Sequence, residues 1–308
     1  MKARILLTVS AALLFTIVFH SCKKESSSAN TDFTTEASVQ SDDQSRFSGE
    51  VDAANNDANA ALETYTNLTG RNESVQICNA TVVVDSASNP RTITITYNGT
   101  GCVGNTTRTG SIVISIPQGT HWRDAGATIS VTYNALKITR ISDNKSITIN
   151  GSHTLTNVTG GLMINLPVLG TIKHSITSNN MSVTFDNGTQ RTWQVAKERT
   201  FTYANGLVIS TRGTHTDGAV TGIAEWGTTR NGRAFTTRTA EPLVVRQDCL
   251  FRLTSGKVVH TVGTAFTATT AFGLDAQGNP VSCPVGSYYM KVEWTGPNGT
   301  THTALYPY

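Results

Sequence analysis

The sequence predicts an all-β protein: a large antiparallel meander, a curled sheet of barrel-like or sandwich form, preceded by one N-terminal amphipathic helix. Three observations lead there. From Val75 onward apolar residues recur at every second position, the period of a strand with one face buried and one face wet. Between these runs stand Asn150-Gly151, Asn187-Gly188, Asn205-Gly206, Asn231-Gly232 and Asn298-Gly299, and Asn-Gly supplies the positive φ angles of tight hairpin turns. Only one stretch carries a helical period, so helices to cover the crossovers of a parallel sheet are lacking. Composition agrees: apolar residues at 38% and charged residues at 15% are both scarce, and Thr, suited to an exposed strand face, fills much of the gap.

The first element is a signal. Lys2 and Arg4 precede an apolar run from Ile5 to Phe19, and Ser21-Cys22 follows. The run is shorter than the roughly 20 residues a membrane span needs and has the layout of a secretory signal. It resembles the lipobox of bacterial lipoproteins, with Phe19-His20-Ser21 in place of Leu-small-small. The resemblance implies a signal peptide over 1–21, lipid on Cys22 and anchorage in the outer membrane, so the membrane is the first expected partner. Residues 22–40 read as a flexible tether rich in Ser, Thr and Asn, too polar to build a core. Within it, Lys23-Lys24-Glu25 resembles the Lys-acidic signal that sends some Bacteroidetes lipoproteins to the cell surface.

The helix belongs to 41–70. Phe47, Val51, Ala54, Ala58, Ala61, Leu62 and Tyr65 recur at intervals of three and four, one apolar stripe over Asp42 to Tyr65. Ser41 or Asp42 is placed to cap its start, and Asn67 to Gly70 to end it. A narrow, Ala-rich stripe predicts close packing on the sheet. The acidic polar face argues against a helix lying on anionic lipid.

Residues 71–308 read as a single antiparallel β domain. Ile93/Ile95/Tyr97, Ile112/Ile114/Ile116 and Ile129/Val131/Tyr133 alternate cleanly with polar residues. Ile147/Ile149, Leu162/Ile164/Leu166, Met181/Val183/Phe185, Trp193/Val195, Phe201/Tyr203, Val258/Val262 and Tyr288/Met290/Val292/Trp294 continue the pattern. About fourteen such strands cannot remain a flat open sheet.

Charge is divided along the chain. Residues 23–73 carry four basic and ten acidic side chains, a net −6, and residues 74–308 carry eighteen basic and eleven acidic, a net +7. The Arg residues of the second part are scattered singly, which predicts solvated strand faces and no nucleic-acid partner. Setting Cys22 aside, Cys78, Cys102, Cys249 and Cys283 remain, and an even count in an exported chain predicts two disulfides. Of three connectivities, Cys78–Cys102 with Cys249–Cys283 is expected, since each pair flanks adjacent strands. No Cys-x-x-Cys is present and no His lies close to both members of a pair, so no zinc site is expected.

A family resemblance begins at Cys78. Thr81 to Asp85, Pro90 to Cys102 and Arg108 to Ile112, then Pro242 to Arg246 leading to Cys249, and Ser255 to Val258, resemble an uncharacterised family of Bacteroidetes-type all-β outer-membrane lipoproteins. The resemblance implies fold and location, and carries no catalytic residue.

Candidate chemistry is sparse. His121-Trp122-Arg123-Asp124 is the densest grouping, with a possible acid–base pair and an aromatic beside a cation, and is the candidate binding site. His215 and Asp217 share a strand face but need a distant third ligand, His174 or His260, to hold a metal. Glu198, Glu225 and Glu241 include potential glycosidase carboxylates. Asp275 to Asn279 places oxygen ligands around a turn without the alternating acids of a calcium loop. Asp85-Ser86-Ala87 resembles the short O-glycosylation signal of Bacteroidetes exported proteins. No nucleophile elbow, phosphate loop or dinucleotide fingerprint occurs, and no cofactor is expected. The expected function is a lipid-anchored, non-enzymatic binding or structural module of the cell envelope. Its ligand would be a glycan or an envelope protein, with Trp122, Trp193, Trp226 and Trp294 as stacking candidates. The alternatives are a lipid or glycolipid carrier with an apolar groove, and a glycan-degrading enzyme.

Overall fold

The computed structural model describes residues 34–67, 77–101, 106–295 and 299–308. The signal, Cys22 and Cys102 lie outside them. Fifteen strands form one antiparallel sheet, and a single long helix, α1 (Thr34–Asn67), precedes it. The strands are β1 (Ala80–Asp85), β2 (Arg91–Gly101), β3 (Thr106–Ile116), β4 (Ala127–Arg140), β5 (Ser146–Asn157), β6 (Thr171–Phe185) and β7 (Gln190–Tyr203). They continue as β8 (Leu207–Gly213), β9 (His215–Asp217), β10 (Val220–Thr228), β11 (Ala234–Arg246), β12 (Arg252–Val262), β13 (Phe266–Leu274), β14 (Tyr289–Thr295) and β15 (Thr301–Pro307).

Neighbours in sequence pair through most of the sheet, and the one departure is local. β7 pairs with β10 near Trp193 to Val195 and with β8 from Lys197 to Tyr203. β11 likewise pairs with β10 at its start and with β8 at its end. β8 and β10 therefore share one row between β7 and β11, and β9 extends that row by pairing with β10.

The curl has a visible cause. Register shifts fall at Asn98/Gly101, Thr109/Ser111, Tyr133/Leu136, Asn150/Thr154 and Ser178/Met181, one bulge in each successive pairing from β2 to β7. Each bulge bends its strand and sharpens the twist, so a row of them creases the sheet along one line. Gly110 sits in this row at φ +88°, and a Cβ there would lie 2.1 Å from the Ala135 carbonyl oxygen. Gly273 does the same on β13, at φ +81° and 2.0 Å from the Thr254 carbonyl oxygen. Among the described residues β1 and β15 do not pair with each other, so the sheet is curled and open. α1 touches β2 and β3 on one side and β13 and β14 on the other, so the sheet wraps round the helix.

The alternation expected of the strands is what the inner face shows. Ile93, Ile95, Ile112, Ile114, Val131, Ile149, Val183, Trp193, Phe235, Val262 and Val292 join Phe47, Val51, Ala54, Ala58 and Leu62 of α1 in one core. The helix stripe is as predicted, but the helix begins earlier than its stripe. Residues 34–40, expected as tether, are helical, and Ala37 and Gln40 are buried. Contacts with the sheet hold this turn: Arg233 pairs with Glu36 at 3.0 Å, and Arg191 donates to Gln40 Oε1 at 2.7 Å. Ser41 and Asp42 are accordingly helix interior and not caps.

Two strand expectations change. Leu162/Ile164/Leu166 forms helical turns, Met163–Asn165 and Leu166–Leu169. Gly160 and Gly161 at positive φ break the strand before it, and Pro167 stands at the start of the second turn. Tyr203 ends β7 exposed, whereas Phe201 is buried. Cys249 and Cys283 form the expected disulfide, and Cys78 is also disulfide-bonded.

Candidate functional site

The sheet's basic residues are not all on its wet face, which corrects the expectation of solvated arginines. On β7 the inward positions run Arg191, Trp193, Val195, Lys197, Arg199, Phe201, and all are buried. They meet the acids of α1, so the acidic helix and the basic inner positions of the sheet face each other across one interface. Arg191 Nη1 donates to Asp43 Oδ2 at 2.7 Å and its Nε to the Thr228 carbonyl oxygen at 2.9 Å. Arg230 donates to the same carboxylate at 2.6 and 3.0 Å. Arg108 pairs with Glu50 at 2.7 Å, and Tyr97 donates to Asp57 at 2.7 Å.

Glu225 is the hub of the interior. It accepts from Trp193 Nε1 at 2.7 Å and Ser48 Oγ at 2.5 Å, and also from Gln44 and Lys197. Burial alone would lower the Lys197 ammonium; Glu225 and Asp52 outweigh it and hold Lys197 above its ordinary value. These contacts fix α1 in the sheet. They leave little room for chemistry at Asp43, Glu225, Arg191 and Lys197, since these charges already have their partners.

Beside the helix the sheet stands away from α1, and a groove opens. Its larger cavity, about 520 Å³, lies between the solvent-side residues of α1, such as Ser45, Gly49 and Ala53, and the apolar side chains of β11 to β14. Val258, Phe272 and Met290 form its wall with Leu243 and Leu253, a cluster separate from the main core. A second cavity of about 450 Å³ follows α1 toward its C-terminal end, walled by Phe201, Ile209 and Leu207. Ala53, Asn56, Arg199 and Phe251 line both cavities. Each volume lies in the range that holds a small organic molecule.

The rim is built by the chain around the disulfide. After the turn Gln247–Cys249, Leu250 and Phe251 take φ of +60° and +56°, which turns Phe251 to the groove mouth with half its surface exposed. Arg252 clamps the segment by donating to the carbonyl oxygens of Cys249, Pro284 and Gly286 at 3.2, 2.6 and 2.6 Å. Asp248, Cys249 and Cys283 bring three potential metal ligands together, but the two sulfurs are bonded to each other. That leaves no thiolate for a metal.

The sites expected from sequence fall elsewhere. Trp122 is buried and donates to Asn59 Oδ1 of α1 at 3.0 Å, while His121, Arg123 and Asp124 stay exposed. The tetrapeptide is thus a turn that holds the helix, and Trp122 presents no face to a sugar. Trp193 and Trp294 are buried too, and Trp226 is half-buried, stacked on His215 at 4.1 Å. Glu225 points inward, whereas Glu198 pairs with Arg212 and Lys173, and Glu241 with Lys257, on the outer surface. His174 and His260 are buried, and among the described residues neither joins His215 and Asp217 in a metal-like cluster. Asp275 accepts the backbone N–H groups of Gln277 and Asn279, each at 2.9 Å, as a turn acid. Asp85 does the same for Ala87 and Ser88.

The groove arginine was the residue sequence reasoning passed over. Its signal was phase: Arg199 stands at an even spacing from Trp193, Val195 and Phe201, so alternation alone points it inward. Comparison with protein-family models, with curated proteins and with solved structures returned no match.

Proposed function

We propose that this chain is a non-enzymatic, lipid-anchored protein of the outer membrane whose groove beside α1 binds an amphipathic small molecule. The observation that carries the reading is the groove itself. It has an apolar wall of Val258, Phe272 and Met290, a polar helix side of Ser45, Ser48 and Asn56, and a volume suited to one ligand. A ligand with an apolar body and a polar edge matches both sides. The lipobox and the resemblance to Bacteroidetes-type lipoproteins support location in the envelope, where such molecules are abundant. Among the described residues no helix is long and apolar enough to cross a membrane; attachment through Cys22 supplies the anchor in this reading.

The test is direct. The full chain carrying Cys22→Ala, which cannot take the anchor, is titrated with the neutral fluorophore N-phenyl-1-naphthylamine. The groove reading expects saturable enhancement that Ser45→Trp abolishes, because Ser45 lines the larger cavity beside Met290, its Oγ donating to Met290 Sδ at 3.8 Å, and an indole there would fill the space next to the apolar wall. Enhancement indifferent to that substitution, in a variant melting near the parent, would remove the reading.

A further inference from the structure

The groove carries an excess of cation. Its larger cavity is lined by Arg46, Arg140, Arg199 and Arg252 against the side-chain carboxylates of Asp42 and Asp52. Three of the four guanidinium groups are committed to the protein. Arg140 holds Asp143 and Asp42, Arg46 donates to the Lys145 carbonyl oxygen, and Arg252 clamps three carbonyl oxygens of the rim.

Arg199 is different. It is 4% exposed, and its side-chain hydrogen bond is from Nη2 to Asn56 Oδ1 at 3.0 Å. Among the described residues its Nε finds no acceptor. Burial pulls the guanidinium below its ordinary value, with Asp52 only partly opposing it, and Asp52 makes no ion pair with it among the described residues. A guanidinium stays charged inside a protein, and a buried charge with open donors is stabilised by an anion that fills them. The planar fork of Arg fits a carboxylate with two parallel N–H···O bonds.

Position decides the rest. Arg199 lies where the two cavities meet. Both cavities have an apolar wall, but the smaller one sets Asp57 and Glu63 beside Arg199, whereas the larger one sets four guanidinium groups against Asp42 and Asp52, so an anion on Arg199 is favoured to extend into the larger one. With Asp52 nearby, one formal charge on the ligand balances the site better than two.

We propose, resting on the groove reading above, that the ligand is a long-chain carboxylate, its head on Arg199 and its chain along Val258, Phe272 and Met290. The experiment uses the full chain with Cys22→Ala and displaces bound N-phenyl-1-naphthylamine at neutral pH with hexadecanoate, hexadecanol or hexadecyl phosphate. Hexadecanoate should displace at an about 10- to 100-fold lower concentration than hexadecanol, the effect of a charge-assisted hydrogen bond in a dry site. It should also act at lower concentration than hexadecyl phosphate. In Arg199→Gln the ratio of acid to alcohol should fall to about one, and Arg199→Lys should keep part of the preference.

If the Gln variant does not fold, the wild-type pH profile takes its place: the preference for the acid must vanish as its carboxyl protonates, near pH 4 to 5 by analogy with side-chain carboxylates (about 4). Equal displacement by acid and alcohol overturns the carboxylate assignment and leaves the groove standing, as does a preference that survives Arg199→Gln. Displacement by neither, or no probe binding at all, overturns the groove reading and this inference with it.

Discussion

Asp43 is the sharpest place to perturb the interface between helix and sheet. Its carboxylate meets Arg191 with both side chains 1% exposed, and it also holds Arg230. Asp43→Ala would leave the Arg191 guanidinium buried, with Gln40 and the Thr228 carbonyl oxygen as its remaining acceptors. Breaking one side of a buried pair costs about 3–5 kcal/mol, because the stranded charge keeps its desolvation penalty. At about 2–4 °C per kcal/mol for a domain of this size, the melting temperature should fall by roughly 6–20 °C. Asp42→Ala is the matched control, one residue away on the same helix. Its partner Arg140 is 28% exposed and keeps Asp143, so the loss should stay below about 1 kcal/mol. The double variant Asp43→Leu/Arg191→Met removes both charges and should recover much of the loss, since an apolar pair of similar volume replaces a buried ion pair at small cost. Urea unfolding followed by circular dichroism reads all three. Equal costs for Asp43→Ala and Asp42→Ala, or a double variant no better than the single, would refute the claim that buried charge holds the helix.

Three further outcomes follow from the same structure. Reducing Cys249–Cys283, which spans 34 residues, should cost about 4 kcal/mol in the chain-entropy model; it should also weaken probe binding by loosening Phe251, and calorimetry with unchanged affinity would contradict the rim's role. Burial pulls His153, His174 and His260 down to about 3, helped by Lys197, Arg199 and Arg191 respectively. Because the unfolded state takes protons first, their contribution is present above the unfolded value of about 6.5 and is lost as pH falls toward 3, at about 1.4 kcal/mol per pH unit for each imidazole; stability flat between pH 7 and 4 would show that these rings are solvated. Gly110→Ala should destabilise by several times the roughly 1 kcal/mol typical of a point change, since its Cβ would meet the Ala135 carbonyl oxygen at 2.1 Å; an unchanged melting temperature would mean that the crease is not needed.

Much of the fold was legible because burial has a period. Ile93, Ile95, Ile112, Ile114 and Val131 alternate without interruption, and the same residues line the core. The helix stripe from Phe47 to Leu62 was equally plain. Its first turns were not, since Glu36 and Gln40 carry no apolar signal and are ordered by Arg233 and Arg191 from distant strands. Charge was visible as a sum and hidden as a geometry: the acidic segment and the basic body were counted, but pairing requires knowing which strand residues face inward. The tetrapeptide around Trp122 drew attention by density, yet its tryptophan serves the helix. Arg199, the residue at the centre of the groove, stood in a charged run after Lys197 and Glu198 and showed only its phase. The row of bulges was misread where it left a trace: Asn150-Gly151, expected as a hairpin turn, lies inside β5 at the Asn150/Thr154 shift, while Ala135 and Asn180 look like ordinary strand residues until the register is known.

The central claim is that the space beside α1 is a ligand site, and photolabelling tests it most directly. A hexadecanoate bearing a diazirine near the end of its chain is irradiated with the full chain carrying Cys22→Ala, and the labelled peptides are mapped by mass spectrometry. Label concentrated on Leu253 to Val258, Phe272 and Met290, and lost in Ser45→Trp, is the predicted result. Label spread over the outer strand faces, or unaffected by that substitution, would contradict the account.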